Sequence, residues 1–324
     1  MKKVLIIRFS SIGDIVLTSP VIRCIKKQLP GVELHYLTKK QYLPVVQANP
    51  YIDKVHLISK NIREVLPELR KQNFNFIADL HENFRSFGVR LALLRPSAGF
   101  PKINFQKWVM VKFKTNLLPE EHIVDRYFKA VDGLGVINDH QGLDYFIPHG
   151  ESGFPPSIPA SHRQHYIAFA IGAKHTTKCM PAEKIISLCR SIPMPVVLLG
   201  GPEDREKGAY IAEHGGDHVF NACGILNLNQ SAFMVKESDV VITHDTGLMH
   251  IAAAFRKRII SVWGNTIPAF GMYPYMPGFE DRSVITEVKG LDCRPCSKLG
   301  YDRCPKGHFK CMNDIREEGI AGGL

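Results

Sequence analysis

Residues Asp245, Thr246 and Gly247 form a polar break between two apolar segments of the chain. Residues 240–243 predict a short buried strand, and the segment from Gly247 onward, GLMHIAAAF, has the composition of a helix. The break therefore lies at a strand's carboxyl end and a helix's amino end, where free backbone N–H groups attract phosphate. Taken by itself, the stretch favours a simpler interpretation, in which Asp245 or Thr246 caps the helix and His250 is an ordinary half-buried histidine.

A second break of the same kind occurs near the start of the chain and shifts the balance toward a ligand site. Residues 2–8, KKVLIIR, predict a strand, and residues 15–29 carry apolar side chains at helical spacing. Gly13 and Asp14 fall between them, so that Asp14 is either a helix N-cap or a carboxylate held at a strand end. Residues 79–86, DLHENFRS, form a third polar strand end.

The elements that must position these residues alternate between strand and helix in both halves of the chain. Strands are predicted near 32–38, 54–58 and 76–80, and the alternation restarts after 149–159, a linker rich in proline and glycine. A chain of 324 residues is also too long for one typical core. The sequence therefore predicts two α/β domains with parallel sheets, and the absence of a GxGxxG motif gives little support to a dinucleotide oxidoreductase.

Positive charge is concentrated in the first half of the chain. Residues 1–150 contain 22 Lys and Arg against 13 Asp and Glu, net +9, whereas the remainder has 19 against 18, net +1. This asymmetry indicates an anionic partner for the first half, which could be nucleic acid, a phospholipid surface or an acidic substrate, or else a merely solvated surface. Residues 99–114, GFPKINFQKWVMVKFK, are either an amphipathic surface segment or a basic lip against an anionic substrate or acidic lipid.

Four of the eight cysteines lie within residues 293–311, namely Cys293, Cys296, Cys304 and Cys311. A CxxC pair with two further thiols has the spacing of a structural zinc site. The longest apolar opening, residues 4–7, is too short for a signal peptide or membrane helix, which predicts a cytoplasmic protein. In a reducing compartment, structural zinc and reduced thiols are equally favoured, and disulfides come third.

Four motifs together resemble those of the heptosyltransferase family, glycosyltransferase family 9, which builds the lipopolysaccharide core. They are RFSSIGD near the start, DLHENFRS, KCMP at 178–181, and DTGLMH at 245–250 followed by WGNT. The resemblance covers nearly the whole chain. It implies the GT-B fold, which has two facing Rossmann-like domains and an interdomain cleft, with acceptor binding by residues 1–155, nucleotide-sugar donor binding by 156–324, and a final helix crossing back to the first domain.

The same resemblance implies an inverting, metal-independent transfer, and the chain contains no D-x-D metal-nucleotide motif. Asp14 would be the general base that takes the proton of the acceptor hydroxyl. Lys178 would hold the diphosphate, although Met180 stands where many relatives have tryptophan. Asp245 would bind sugar hydroxyls. The remaining donor-binding residues that the resemblance implies are Glu203 at the ribose, Thr246, Gly247 and His250 near the phosphates, and Ala173 and Lys174 at positions of donor-contacting threonines.

Acceptor binding is assigned by the resemblance and by the basic first half, because a lipid A core is phosphorylated or carries acidic sugars. The acceptor-binding residues predicted are Ser10, Ser11, Gly13, Asn83, Arg85, Lys102 and Lys107. The expected partners are a nucleotide sugar, specifically ADP-heptose, an anionic glycolipid and the inner membrane surface, with no nucleic acid and no cofactor required for catalysis. Two alternatives stay open: a sugar-nucleotide epimerase of the same architecture, and a zinc-stapled nucleic-acid-binding protein.

Overall fold

The computed structural model describes residues 2–323, and the chain divides into two units. The first comprises Met1–Lys102 and Glu121–Pro148, and the second comprises Ile103–Glu120 and His149–Leu324. The first unit therefore ends before the predicted boundary at 155, and the basic segment that follows Lys102 belongs to the second unit. One contact that fixes this segment is made by Lys114, whose Nζ donates to the carbonyl oxygen of Pro295 at 2.7 Å.

The first unit is built on a five-stranded parallel sheet in the order β3-β2-β1-β4-β5. Its strands are β1 (Lys3–Ile7), β2 (Glu33–Lys39), β3 (Lys54–Ile58), β4 (Phe76–Asp79) and β5 (Ser97–Gly99). The central strand, KVLII, is apolar after its first residue and buried, as expected of parallel strands covered on both faces. The register pairs Leu5 with His35 and with Ile77.

The helix predicted over residues 15–29 is divided in two. Pro20 lies in the first turn of the second helix, where its missing N–H costs no hydrogen bond and its fixed φ favours helix initiation. The helices of this unit are α1 (Ile12–Val16), α2 (Ser19–Gln28), α3 (Leu43–Val46), α4 (Leu66–Lys71), α5 (Phe84–Leu93) and α7 (Ile123–Phe128), and α6 (Asn104–Phe113) belongs to the second unit.

The second unit has a six-stranded parallel sheet in the order β11-β10-β9-β6-β7-β8. Its strands are β6 (Ile167–Ala170), β7 (Val196–Leu199), β8 (Val219–Asn221), β9 (Val240–His244), β10 (Arg258–Trp263) and β11 (Ser283–Glu287). Its further helices are α8 (Ala182–Ser191), α9 (Arg205–Gly215), α10 (Leu228–Glu237), α11 (Gly247–Ala254), α12 (Lys310–Asn313) and α13 (Glu317–Ala321). The predicted alternation of strands and helices is thus present in both units.

The final helix, which was predicted to cross back to the first domain, has packing contacts in its own unit. α13 packs on α8 of its own unit, where Glu317 accepts hydrogen bonds from Ser187 Oγ at 2.6 Å and Lys184 Nζ at 3.3 Å. Ile320 is fully buried in the core of the second unit. A crossing of the chain's end to the first domain stays a prediction.

Each sheet has one point at which the chain reverses its direction of strand addition. In the first unit this point lies between β1 and β4, and in the second between β6 and β9. Ligands of open α/β sheets bind outside the carboxyl ends of strands at such switch points. The three polar breaks of the sequence follow β1, β4 and β9, so the topology places all of them at switch points. Within residues 2–323, no helix has the length and apolar character needed to span a membrane.

Candidate functional site

Lys178 and Asp245 form an ion pair at the switch point of the second unit. Lys178 Nζ lies 2.5 Å from Asp245 Oδ2, and Thr266 Oγ1 donates a hydrogen bond to the same oxygen at 3.0 Å. The two charged side chains are only 16% and 14% exposed. Shielding of this degree strengthens the attraction of the pair, and two donors on one oxygen fix the orientation of the carboxylate.

The amino end of α11 lies directly beside this pair in the chain. Thr246 is the N-cap residue, but its side chain makes no capping hydrogen bond, and its hydroxyl lies 3.4 Å from Thr243 Oγ1. In the part of the chain that the structure describes, Asp245 therefore acts as an ion-pair partner of Lys178 and not as the predicted alternative, a helix cap. Gly247 starts the helix, and first-turn N–H groups without a capping side chain suit a bound phosphate.

A buried histidine holds the loop of Lys178 against β9. His244 Nε2 accepts a hydrogen bond from the backbone N–H of Met180 at 3.0 Å. Burial lowers the pKa of His244 to about 3, so its ring is neutral at physiological pH. Met180 is itself buried in the core of this unit. His250 is buried on α11.

Three predicted donor residues lie on the loops after β6 and β7. Ala173 and Lys174 precede Lys178 in the loop after β6, and Glu203 is exposed in the turn after β7. Their neighbour Asp204, which was not singled out from the sequence, accepts a hydrogen bond from the Gly201 N–H at 3.0 Å. Its carboxylate occupies the space beside Gly172, where a Cβ would lie 1.9 Å from Oδ2, and burial raises its pKa.

Asp14 is held by two partners at the switch point of the first unit. Arg8 Nη2 lies 2.7 Å from Asp14 Oδ1, while the Ser11 N–H and Oγ donate to Oδ2 at 3.0 and 2.7 Å. Asp14 is the third residue of α1, whose N-cap is Ser11, and not the N-cap that the sequence offered as an alternative. The predicted residues Ser10, Ser11, Gly13 and Asp14 therefore form one turn at the carboxyl end of β1.

Arg8 links the ends of the two central strands and was not singled out from the sequence. Its guanidinium donates to the carbonyl oxygens of Ser10 and Leu80 and lies 5.7 Å from the ring centre of Tyr127. Burial lowers the pKa of Arg8, but the Asp14 carboxylate and Tyr127 raise it by more, so the net shift is upward. An arginine that directly follows an apolar strand was the available signal.

His81 is a further residue that was not singled out from the sequence. It follows β4, and its ring centre lies 4.8 Å from that of Phe9. Burial, with the positive charges of Arg8 and Lys102, lowers the pKa of His81 to about 3. Among the residues described, its buried Nδ1 has no hydrogen-bond partner. The charges of Lys102 and Asp14 both act on the pKa of His81, and the charge of Asp14 acts on the pKa of Lys102. The predicted acceptor residue Lys102 therefore lies in the same region as Asp14.

The other predicted acceptor residues have separate placements. Asn83 caps α5, since its Oδ1 accepts from the N–H groups of Arg85 and Ser86, both at 2.9 Å. Arg85 is exposed in the first turn of the same helix. Lys107 was predicted in the acceptor domain, but it lies on α6, which belongs to the second unit. The Nζ atom of Lys107 lies 5.1 Å from the ring centre of Phe270.

All eight cysteines are unpaired. Burial together with the nearby Cys293 raises the pKa of Cys296 to about 11, and burial with the nearby Cys296 raises the pKa of Cys311 to about 12. No three His, Cys, Asp or Glu side chains between residues 2 and 323 are arranged to hold a metal ion. A structural zinc at Cys293, Cys296, Cys304 and Cys311 stays a prediction.

Comparison with known proteins identifies relatives over most of the chain. Residues 62–300 match the model of glycosyltransferase family 9 (heptosyltransferase). The chain is 24% identical to lipopolysaccharide heptosyltransferase 1 of Campylobacter coli over 292 residues, which cover 82% of this chain and 84% of that protein. The segment that matches the family model, residues 62–300, includes parts of both units.

Solved structures show a related fold at low sequence identity. A glycosyl transferase of family 9 from Veillonella parvula DSM 2008 superimposes with a TM-score of 0.77 at 21% identity, covering 99% of this chain and 96% of that one. The Escherichia coli ADP-heptose lps heptosyltransferase II gives 0.73 at 18% identity, covering 100% and 97%. The predicted GT-B fold class is thereby confirmed.

Proposed function

Because this chain belongs to glycosyltransferase family 9, the heptosyltransferases of lipopolysaccharide core biosynthesis, we propose that it transfers heptose from ADP-heptose to a core or related glycolipid acceptor. We further propose that the transfer inverts the anomeric carbon and needs no metal ion. The ADP-heptose in the name of the Escherichia coli neighbour supports the donor. The observation that carries the proposal is the Lys178–Asp245 pair beside the amino end of α11.

The second unit supplies what a nucleotide-sugar donor requires. The departing diphosphate develops negative charge, which Lys178 and the first N–H groups of α11 stabilise without a metal. Asp245 keeps the ammonium of Lys178 in place and presents its other carboxylate oxygen to sugar hydroxyls. Thr246 and Gly247 bring backbone donors toward the phosphates, and Glu203 would accept from the ribose hydroxyls.

The first unit supplies the base. Asp14 accepts the proton of the acceptor hydroxyl as that oxygen bonds to the anomeric carbon and the bond from this carbon to the ADP oxygen breaks. A single displacement of this kind inverts the configuration. Arg8 and Ser11 orient the carboxylate at the end of β1. Neutral His81 would offer its Nδ1 to the acceptor.

Two exposed helices support a peripheral membrane partner. Residues 83–119 contain seven Lys and Arg and no Asp or Glu. Phe84 on α5 is 97% exposed, and Phe105 on α6 is 66% exposed. Further exposed apolar side chains are those of Phe87 and Leu91 on α5, Leu94 after it, and Trp108 and Phe113 on α6. Basic and aromatic side chains without acidic ones are typical of segments that lie in the interface of an anionic bilayer.

Thermal stabilisation by ligands tests the donor site and the base separately. We would measure the melting temperature of the wild type, Asp245→Ala and Asp14→Ala with ADP, ADP-heptose, UDP and GDP. The proposal expects ADP and ADP-heptose to stabilise the wild type and Asp14→Ala, but not Asp245→Ala. Stabilisation of every variant by RNA or DNA, and of none by a nucleotide, would overturn it. Donor turnover without any acceptor would instead indicate the epimerase alternative.

A further inference from the structure

Arg294 lies within the cysteine-rich segment and makes five hydrogen bonds. Its side chain is 6% exposed and pairs with Glu287 Oε2 at 2.9 Å. The rest of the fork is directed at backbone carbonyl groups, mostly of the loop that follows β10. It donates to the carbonyl oxygens of Gly264 at 2.5 Å, Val288 at 2.6 Å, Thr266 at 3.0 Å and Trp263 at 3.3 Å.

The loop that Arg294 holds contains a residue that contacts Asp245. Thr266 is 2% exposed, and its Oγ1 donates to Asp245 Oδ2 at 3.0 Å while its carbonyl oxygen accepts from Arg294. The backbone has little room to shift, because a Cβ on Gly264 would lie 2.7 Å from the carbonyl oxygen of Thr177. Arg294 thus contacts Thr266, which in turn contacts the candidate donor carboxylate of Asp245.

The same segment also fixes the loop that carries Lys178. Tyr301 N–H donates to Thr177 Oγ1 at 2.8 Å, and the Thr177 N–H donates to the Tyr301 carbonyl oxygen at 3.1 Å. Between Arg294 and Tyr301 in the chain, the Cys296 N–H donates to the carbonyl oxygen of Asn265 at 3.1 Å. Both donors to Asp245 Oδ2, the Lys178 ammonium and the Thr266 hydroxyl, therefore depend on contacts made by residues 294–301.

We propose that Arg294 is a positioning residue of the donor site, which holds Thr266 where its hydroxyl orients Asp245. This inference rests on the proposed function, because it assumes that Asp245 binds the donor. A guanidinium is suited to the role because its planar fork serves several carbonyl groups at once, which a lysine ammonium cannot do at the same positions. Arg294 itself does not contact the reacting atoms.

The test combines Arg294→Lys with Thr266→Val, a change that removes the hydroxyl and keeps the shape. ADP affinity is measured by calorimetry, and KM for the donor and kcat by steady-state kinetics. Each single variant should bind ADP about 10-fold more weakly, since a hydrogen bond to a charged group is lost or misdirected. The double variant should lose little more than either single one, because both changes act on the same bond. KM for the donor should rise and kcat at saturating donor should fall as well, because Asp245 holds the Lys178 ammonium that stabilises the departing diphosphate.

Arg282→Lys is the matched control, because Arg282 also donates to a backbone carbonyl of the second unit, that of Arg256 at 3.0 Å. It should leave ADP affinity unchanged. The inference is overturned if Arg294→Lys lowers the melting temperature or kcat while ADP affinity stays at the control value, or if its effect adds fully to that of Thr266→Val. If Arg294→Lys does not fold, unchanged ADP affinity in Thr266→Val alone overturns it. A wild type that binds no nucleotide at all would instead refute the proposed function.

Discussion

Asp14 illustrates how a single side chain can be tested apart from the binding of the donor. Asparagine at this position keeps the shape of the side chain but cannot accept a proton. We expect Asp14→Asn to lower kcat about 10²- to 10⁴-fold, the range for loss of a general base, with ADP affinity unchanged. Arg8, buried beside it, would lose its carboxylate partner, so the melting temperature should fall as well. Kinetics and calorimetry well below that temperature check the prediction, which a kcat near the wild-type value would contradict.

His81 gives a prediction about pH dependence. Its pKa of about 3 means that the ring gains no proton between pH 5 and 8, whereas an ordinary histidine would titrate there. Any acid limb of the kcat/KM profile in that range must then belong to another group. We expect His81→Gln to lower kcat/KM without moving the midpoint of the limb. A midpoint that shifts or disappears in this variant would show that His81 titrates.

Single residues were predictable only where a local motif marks them. Asp14, Lys178 and Asp245 each follow a strand in a recognisable order, and the structure places each at a switch point. Their partners Arg8 and Thr266 were missed because their roles arise from contacts across the fold. Thr266 lies on the loop after β10, yet its hydroxyl reaches the end of β9. No spacing in the chain encodes that approach.

At the scale of elements, β2 and β3 share a histidine pair that should make the first unit sensitive to acid. His35 Nδ1 lies 2.8 Å from His56 Nε2, so one ring must accept a hydrogen bond and cannot be protonated without losing it. Burial lowers the pKa of both rings, that of His56 from 6.5 to about 4. Protonation therefore favours the unfolded chain. The histidine pair does not reduce the free energy of unfolding at pH values above 6.5. It reduces this free energy progressively as the pH falls toward about 4.

His56→Gln tests this prediction because glutamine keeps a polar side chain that does not titrate. The free energy of unfolding, from urea titrations at several pH values, should fall between pH 6.5 and 4 by about 2 kcal/mol less in this variant than in the wild type. The exposed His140, in the same unit, provides a control in His140→Gln, which should follow the wild-type curve. Equal acid sensitivity of His56→Gln and the wild type would contradict the argument.

The cysteine-rich segment allows a prediction about thiol chemistry. Since all eight cysteines are unpaired, a thiol reagent in denaturant should titrate eight thiols per chain without any reductant. In the native protein Cys189, Cys223 and Cys311 should react last, because burial raises the pKa of each thiol to about 12 and the thiolate is the reactive form. Six or fewer thiols would indicate a disulfide.

Elemental analysis then separates the two alternatives that the sequence left equal, about one zinc per chain or none, and chelation should lower the melting temperature only if zinc is present.

Element types were predicted well, whereas element partners were not. The apolar period of each segment marks strands and helices, and Pro20 could have marked the start of α2. The side on which α13 packs depends on Lys184 and Ser187, which lie 130 or more residues earlier in the chain. The contact that fixes α6 joins residues still farther apart, since Lys114, directly after the helix, donates to the carbonyl oxygen of Pro295, 181 residues later in the chain. Long-range contacts of this kind leave no local signal.

At the scale of the whole molecule, the placement of α6 redistributes the charge. By the units of the structure, the first has 19 Lys and Arg against 12 Asp and Glu, net +7, and the second has 22 against 19, net +3. The asymmetry predicted from the sequence persists but is smaller. Both units then contribute a basic, apolar helix surface to the proposed association with membranes, α5 in the first and α6 in the second.

Vesicle binding tests whether these surfaces contact lipid. We expect the wild type to sediment with vesicles containing phosphatidylglycerol, to bind phosphatidylcholine vesicles weakly, and to dissociate as salt rises, because the charge term is screened. Replacing Phe84 and Phe87 together by serine should weaken binding about 10-fold or more, since each exposed ring would be buried in the interface. Ile137→Ser is the control, because Ile137 is 72% exposed outside residues 83–119. Unchanged vesicle binding in the double variant would show that the face on α5 does not contact lipid. A wild-type dimer that this variant dissociates would show that the face contacts protein instead.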